Sequence, residues 1–132
     1  MDMVMEMIPQ KRRKNSDDSD LRLIFVRLHK YLLENRRFTS EGLNRASLAA
    51  AVRTNEKYLM LAVRCFADGK TLGQFIDSLR MEYAEMLLRR YPEYTIDAIA
   101  RECGASSRSA FYRIFRKYFG CAPCEYREKI QK

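Results

Sequence analysis

Residues 95–120 read TIDAIARECGASSRSAFYRIFRKYFG, and this stretch decides the fold. Thr95 is a good N-cap residue, and about two turns of helix, Ile96 to Cys103, are expected to follow it. After a turn, Ser106 or Ser107 can cap a second helix whose apolar residues recur at helical spacing: Phe111, Ile114, Phe115 and Tyr118. A short helix, a turn of a few residues and a longer helix predict a helix-turn-helix unit.

The same pattern occurs about 51 residues earlier in the chain. Asn44 caps the expected first helix, Arg45 to Val52, and Asn55 or Thr54 caps the second. The inner face of that second helix is apolar: Leu59, Ala62, Val63 and Phe66. The sequence therefore predicts two helix-turn-helix units.

A single long helix, Leu72 to Tyr91, is predicted between the two units and is ended by Pro92. One stripe of this linker helix is largely apolar, and it contains Leu72, Phe75, Ile76, Leu79, Tyr83, Met86, Leu87 and Arg90. Its length of roughly 30 Å, at ~1.5 Å per residue, is close to the ~34 Å of one turn of B-DNA. We expect a stiff spacer that holds two reading helices in successive major-groove segments.

The two ends of the chain differ in character. Residues 1–19 are predicted to be a flexible tail, because their alternating acids and methionines and their Ser/Asp run bury little apolar surface. The basic quartet 11–14 is interpreted as a solvated linker rather than a DNA contact. A first helix is expected from Ser19 or Asp20 to about Arg36, and a last one from Cys124 to about Lys129.

The sequence thus predicts an all-α fold of about seven helices. Its division is a tail (1–19), a first helix-turn-helix unit (20–68), the linker helix (71–91) and a second helix-turn-helix unit (94–132).

Composition favours a polyanionic partner. The 132 residues carry a formal net charge of +8, and no acidic residue lies between Cys103 and Cys124. Cations that neutralise DNA phosphates release condensed counterions and so gain affinity. The absence of a membrane-length apolar run or a signal-peptide pattern predicts a cytoplasmic protein with no membrane partner.

Catalytic and metal chemistry is scarce in this sequence. The single histidine, His29, excludes any site built on several imidazoles, and four cysteines in such a chain do not indicate a disulfide framework. The pair Cys121 and Cys124 has redox spacing but lacks the strand-to-helix setting that such motifs need. A zinc site would require Cys65 and Cys103 to converge on that pair. We predict no enzyme, no cofactor and no metal.

The spaced motifs of the chain resemble the AraC/XylS family of transcription regulators. The second unit is similar to that family's I-A-x-x-x-G-F, F-x-R-x-F-K/R-K and G-x-x-P-x-x-Y-R motifs, in residues 99–127. The linker's Phe75-Ile76, Leu79-Arg80, Ala84 and Leu87-Leu88 and the first unit's Thr54-Asn55 and Tyr58-Leu59 are also similar to family motifs, so that the match covers about residues 21–127.

The resemblance implies a seven-helix, two-lobed domain that binds double-stranded DNA and usually activates transcription, with RNA polymerase as a further candidate partner. Carried over position by position, the DNA-facing positions of the second recognition helix are Ser107, Arg108, Ser109, Tyr112, Arg113 and Arg116. Those of the first are Lys57, Met60, Leu61 and Arg64. Lys117 fits a DNA contact and a solvated charge equally well. The arginines are the expected base readers, because a guanidinium meets the O6 and N7 of guanine together.

Three residues depart from the family pattern. Ala105 stands where the family usually has Phe, so core volume must be filled by other residues. Arg53 stands where the second unit has Gly104, which predicts a turn of different shape. Met60 and Leu61 replace polar readers, and three interpretations stay open: contact with thymine methyls, contact with the DNA backbone only, or contact with another protein. We expect the second unit to carry more of the affinity.

Two other functions fit parts of the sequence. Met60, Leu61 and the tyrosines Tyr91, Tyr94 and Tyr112 could form a protein-binding module. A non-specific architectural DNA binder would share the basic charge. The operator and the oligomeric state are not predicted. Since no effector domain fits before the first helix, we expect a stand-alone regulator or a piece of a longer sensor.

Overall fold

The computed structural model describes residues 13–131. This part of the chain contains seven α-helices, one 3-10 segment and no strand, which confirms the predicted all-α architecture. The helices are α1 (Arg13–Leu33), α2 (Arg45–Ala51), α3 (Glu56–Phe66), α4 (Leu72–Arg90), α5 (Ile96–Glu102), α6 (Arg108–Phe119) and α7 (Pro123–Ile130), and the 3-10 segment is Glu34–Thr39. None of the helices described is long and apolar enough to cross a membrane.

Side-chain caps fix the starts of both helix-turn-helix units. The Asn44 and Thr95 side chains accept hydrogen bonds from the Ser47 and Ala98 amides at 2.9 and 3.0 Å. Asn55 and Ser107, rather than Thr54 and Ser106, cap the second helices, since they accept from the Tyr58 and Ala110 amides at 2.8 and 3.0 Å. Each cap satisfies one of the amides that a helix start leaves without a partner.

The two turns begin alike but differ in length, because residues 52–55 separate α2 from α3 whereas residues 103–107 separate α5 from α6. The turns therefore differ in shape, as predicted, although the difference does not arise at Arg53 itself. Arg53 and Gly104 both adopt left-handed conformations, with φ of 65° and 88°. In each turn a backbone amide donates to the carbonyl of an alanine five residues earlier: Thr54 N to Ala49 O at 2.9 Å, and Ala105 N to Ala100 O at 3.1 Å. The hydrogen-bond pattern of the helix end imposes the conformation on either residue.

Arg53 is therefore a strained residue whose replacement should stabilise the protein. A left-handed conformation costs a non-glycine residue about 1–2 kcal/mol, and glycine's greater unfolded-state entropy offsets roughly half of this. We expect Arg53→Gly to raise the free energy of unfolding by about 0.5–1 kcal/mol. Denaturant unfolding measures it, with Arg101→Gly, an exposed arginine inside α5, as the control expected to lose about 1 kcal/mol. Equal losses in both variants would contradict the explanation.

The chain forms two compact units, and the first groups residues up to Leu32 with Asn44–Leu72. Its core is built from one face each of α1, α2 and α3, and its most deeply buried side chains are Leu28, Leu32, Leu48, Leu59, Ala62 and Val63. Phe25 and Phe66 approach with ring centroids 6.2 Å apart at the edge of this core. The Arg27 guanidinium donates to the carbonyl of Val52 at 3.4 Å, which ties α1 to the turn.

The first helix has other bounds than the sequence predicted. It begins at Arg13 rather than near Ser19, and it ends at Leu33 rather than Arg36. It ends there because Asn35 and Arg36 have φ of 54° and 53°, which interrupts the helix and starts the 3-10 segment. The remaining part of the predicted tail, residues 1–12, lies outside the described residues.

The second unit groups Leu33–Leu43 with the chain from Gly73 onward. The linker helix α4 thus belongs to this unit, and residues 33–43 join it too, which differs from the sequence-based division. Its core consists of Met81, Ala84, Leu87, Leu88, Ile99, Ala100, Cys103, Phe111 and Phe115. Ala105 packs against this core, as do several half-buried aromatic side chains.

Polar side chains fasten the rest of the second unit to α4. Arg80 donates from Nε to the carbonyl of Phe38 at 2.6 Å and from a terminal nitrogen to that of Ser40 at 3.2 Å. On α7, the Tyr126 hydroxyl donates to the carboxylate of Glu85. The Tyr118 hydroxyl donates to the Gln74 carbonyl at 3.0 Å, which places the end of α6 beside the start of α4.

Candidate nucleic-acid interface

The helix α6 has a polar face that is exposed to solvent and an apolar face that is buried in the second unit. Phe111 and Phe115 have no exposed surface, and they anchor the helix in the second unit. The predicted DNA-facing residues are accessible: Ser107, Arg108, Ser109, Arg113, Arg116 and Lys117 are exposed, and Tyr112 is half-buried. The structure thus leaves the whole predicted set of the second unit at least partly accessible, although Arg108 and Lys117 stand on opposite sides of the helix. That these residues contact DNA stays a prediction.

Arg108, the first residue of α6, is held by two neighbours. Its Nε lies 3.4 Å from a carboxylate oxygen of Asp97 on α5, and its guanidinium lies 5.3 Å from the ring centroid of Tyr112. Interaction with the Tyr112 hydroxyl, and secondarily the charge of Asp97, raises the pKa of Arg108, so this group stays cationic. Both contacts reduce the freedom of a long exposed side chain before any ligand arrives. Sequence reasoning did not single out Asp97.

A carboxylate of the linker helix, that of Asp77, interacts with two further basic residues of α6, Arg113 and Lys117. Burial raises the pKa of Asp77 above its ordinary value, while the positive charges of Arg80, Arg113 and Lys117 act in the opposite direction. Burial, with the charge of Asp77, likewise raises the pKa of Tyr118. Asp77 therefore balances part of the positive charge behind the exposed face. Helical periodicity leaves Asp77 off the predicted apolar stripe of the linker helix and does not indicate that it approaches α6.

The outward face of α3 has a different chemistry. Lys57 and Arg64 are exposed, Met60 is half-buried and Leu61 is 37% exposed. Together with three residues of the following loop they line a surface concavity of about 330 Å³, here called the α3 hollow, whose lining residues are Lys57, Met60, Leu61, Arg64, Gly69, Lys70 and Thr71. Three of these are cations and none is acidic. Sequence reasoning missed the loop contribution of Lys70, because a loop's direction is not encoded in helical periodicity.

Counting from the N-caps shows which positions of the two recognition helices correspond. Five residues after Asn55 and Ser107 stand Met60 and Tyr112, and six residues after them stand Leu61 and Arg113. Both helices therefore present the same positions outward. The first helix has apolar side chains where the second has a tyrosine and an arginine.

The cysteines show no assembled site in the part of the chain that the structure describes. Cys103 is fully buried, and burial raises the pKa of its thiol to about 11, which keeps it protonated at neutral pH. Cys121 is buried, whereas Cys65 and Cys124 are exposed. Across residues 13–131, no three His, Cys, Asp or Glu side chains gather in a way that could hold a metal ion.

The tyrosines proposed for a protein-binding surface are engaged with the second unit. Tyr91, Tyr94 and Tyr112 are half-buried and pack against its core. The rings of Tyr91 and Tyr94 stack with centroids 4.8 Å apart. Part of their apolar surface is therefore used within the unit.

Paired helix-turn-helix units with basic outward helices define the class of protein, and similarity to known proteins narrows it. A family model described as a helix-turn-helix domain matches residues 48–129, more than half of the chain. The transcriptional activator RhaR of Mannheimia succiniciproducens is 39% identical over 62 residues, 47% of this chain and 22% of RhaR. The uncharacterised regulator YpdC of Escherichia coli is 30% identical over 94 residues, 70% of this chain and 32% of YpdC.

Solved structures agree with these relatives. The C-terminal domain of AraT, a response regulator from Geobacillus stearothermophilus, superposes with a TM-score of 0.72 at 26% identity, covering 80% of this chain and 84% of that domain. The DNA-binding domain of AdpA, a transcriptional factor solved in complex with a target DNA, superposes with a TM-score of 0.69 at 25% identity, covering 79% and 89%.

The protein is thus a double helix-turn-helix protein of the kind found in transcription regulators. The chain belongs to the AraC-type helix-turn-helix family. It spans about a fifth to a third of the length of the curated relatives named above.

Proposed function

We propose that this chain is a sequence-specific, double-stranded DNA-binding transcription regulator that inserts α3 and α6 into successive major-groove segments. The observation that carries the proposal is the accessible surface of α6 and its N-cap, which exposes three arginines, a lysine and two serines while Phe111 and Phe115 are buried. A helix anchored in this way can enter a groove without rearranging the core behind it. Both AraC-type membership and the DNA complex of the AdpA domain support the proposal.

The residues of α6 suit different parts of the duplex. Arg113 projects from the outward face, and its fork can meet both acceptors of a guanine edge. The exposed backbone amides at the α6 start, next to Ser107, suit a phosphate oxygen, and this is a usual contact at the N-terminus of a recognition helix. Arg116 and Lys117 stand near the other end of the helix, and we assign them to the phosphate backbone.

The engagement of two groove segments is supported by the presence of two outward recognition helices, α3 and α6, in one chain. Reading helices of helix-turn-helix dimers contact half-sites one helical turn, ~34 Å, apart. We propose that one chain of this protein reaches two neighbouring segments in the same manner.

We further propose that the protein activates transcription rather than represses it. It is supported by the printed names of relatives, such as the transcriptional activator RhaR. We propose that activation proceeds through a contact between this protein and RNA polymerase. Transcription from a bound promoter with purified components, compared with and without the protein, determines its direction.

Removing the Arg113 guanidinium is expected to reduce both affinity and selectivity. A bidentate arginine–guanine contact contributes about 1–3 kcal/mol of discrimination, so Arg113→Ala should weaken binding to the selected site about 5- to 150-fold. Preference at one base pair should relax at the same time. The measurement is selection of duplexes from a random pool, followed by binding titrations of wild type and variant on the enriched site and on single base-pair changes.

Lys117→Ala provides the matched comparison, because that residue lies on the same helix and also faces Asp77. It should weaken binding to all duplexes by a similar factor, as expected of a phosphate contact. If Arg113→Ala also weakens every duplex equally, then Arg113 does not read a base. If the pool shows no enriched sequence at all, the protein is a non-specific architectural binder.

A further inference from the structure

The α3 hollow is chemically unlike the face of α6. Met60 and Leu61 supply the apolar side chains of its lining, and Leu61 keeps 37% of its surface exposed although it lies next to the fully buried Ala62. Exposed leucine on a helix that is otherwise well packed indicates either incidental exposure or a ligand with an apolar group. The lining also contains three cations, Lys57, Arg64 and Lys70. The ligand that matches this lining best has an apolar group surrounded by negative charge.

Such a combination exists in the major groove of DNA. The C5-methyl group of thymine is the apolar group that a base pair presents there, and the phosphates of both strands border the groove. We infer that the α3 hollow binds a thymine methyl group on Met60 and Leu61 while its cations contact the flanking phosphates. This inference rests on the proposed function, because it requires α3 to enter the groove.

The position of Leu61 supports this assignment. It stands six residues after its N-cap, as Arg113 does on α6, so it occupies the position from which the second helix is proposed to read a base. An aliphatic side chain in that position cannot accept or donate a hydrogen bond. The base-pair feature left for it to recognise is the methyl group.

An acidic, apolar peptide is the competing occupant, and the size of the apolar area weighs against it. Stable protein interfaces bury about 800 Å² on each partner. The lining of the α3 hollow offers only two apolar side chains, one of them half-buried, amid three cations. That area is small for a protein interface but sufficient for one methyl group.

Replacing thymine by uracil in the DNA tests the inference without changing the protein. In the enriched duplex, each thymine is exchanged in turn for deoxyuridine, which lacks only the methyl group. We expect one or two exchanges to weaken binding about fourfold each, which corresponds to about 0.8 kcal/mol for one buried methyl group. Exchanges elsewhere in the duplex should have no effect.

Protein variants then locate the effect. Leu61→Ala and Met60→Ala should bind the thymine and uracil duplexes with equal affinity, close to that of wild type for the uracil duplex. Leu23→Ala is the matched control, because Leu23 is also an exposed leucine of the first unit, at 48%, but does not line the α3 hollow. It should retain the fourfold difference. Circular dichroism of each variant confirms that it is folded.

The possible results separate the two levels of the proposal. Binding of a selected duplex with no sensitivity to any thymine exchange overturns the inference and leaves the proposed function intact. Leu61→Ala that keeps its DNA affinity but no longer affects transcription indicates a protein partner and also overturns it. Absence of binding to any duplex removes the proposed function itself.

Discussion

Gly104→Ala should lower the free energy of unfolding by about 1.5–4 kcal/mol. Gly104 has a φ of 88°, a conformation that costs an alanine about 1–2 kcal/mol, and alanine's smaller unfolded-state entropy offsets roughly half of this cost. A Cβ atom added there would also lie 2.7 and 2.8 Å from the Cα and carbonyl carbon of Thr39. Because those atoms belong to backbone, relief requires the 3-10 segment to move, and forced displacements of this kind cost a further 1–3 kcal/mol or so.

Gly120→Ala separates the two contributions. Gly120 has nearly the same conformation, with a φ of 79°, but nothing lies within 4 Å of an added Cβ. It should therefore lose only the net conformational part, about 0.5–1 kcal/mol. Denaturant unfolding of both variants gives the comparison. Equal losses would mean that the approach of Thr39 contributes nothing and that the left-handed backbone alone requires glycine at position 104.

This close approach shows where sequence reasoning ends. The glycine itself and its role in a turn could be read from the sequence, because a helix end followed by a left-handed residue has a local signature. The contact with Thr39 joins residues 65 positions apart, and no periodicity encodes it. The same holds for Arg80, which donates to the carbonyls of Phe38 and Ser40. Local signals predicted the elements, and long-range contacts needed the structure.

The linker helix also shows, within a single helix, which buried residues the sequence predicted and which it did not. Its predicted stripe was correct at Leu72, Phe75, Ile76, Leu79 and Leu87, which are all buried. Tyr83 and Met86 are half-buried, and Arg90, the last residue of the stripe, is exposed. Met81, Ala84 and Leu88 are buried as well and belong to the core of the second unit, although they lie off that stripe. A single-stripe interpretation suits a helix that packs on one side. It underestimates a helix that is buried around more of its circumference.

For the candidate site, the sequence predicted which residues face outward but not which residues of other helices interact with them. The faces of α3 and α6 followed from caps and helical spacing, since both are properties of one segment. The acidic partners Asp97 and Asp77 come from α5 and α4, and opposite charges brought together by tertiary packing have no sequence spacing of their own. The loop residue Lys70 was missed for the same reason.

Salt dependence should show whether one unit or both units bind DNA, and the expected effect is large. The logarithm of the binding constant falls with the logarithm of salt concentration, with a slope of about −0.9 per phosphate contact. Apart from the proposed base reader Arg113, six cations stand on the two outward faces: Lys57, Arg64, Lys70, Arg108, Arg116 and Lys117. If all six contact phosphates, affinity should fall about 2,000-fold between 50 and 200 mM salt. The three on α6 alone would give only about a 40-fold loss.

Two variants of equal net charge make the test specific to the first unit. Lys57→Gln combined with Arg64→Gln should reduce the magnitude of the slope by about 1.8, because two proposed contacts are removed. Lys30→Gln combined with Lys129→Gln removes two exposed cations that lie on neither recognition helix, and should leave the slope nearly unchanged. An unchanged slope in the first variant would show that α3 stays away from the phosphates. The second unit would then bind alone, and an apolar first recognition helix would need another explanation.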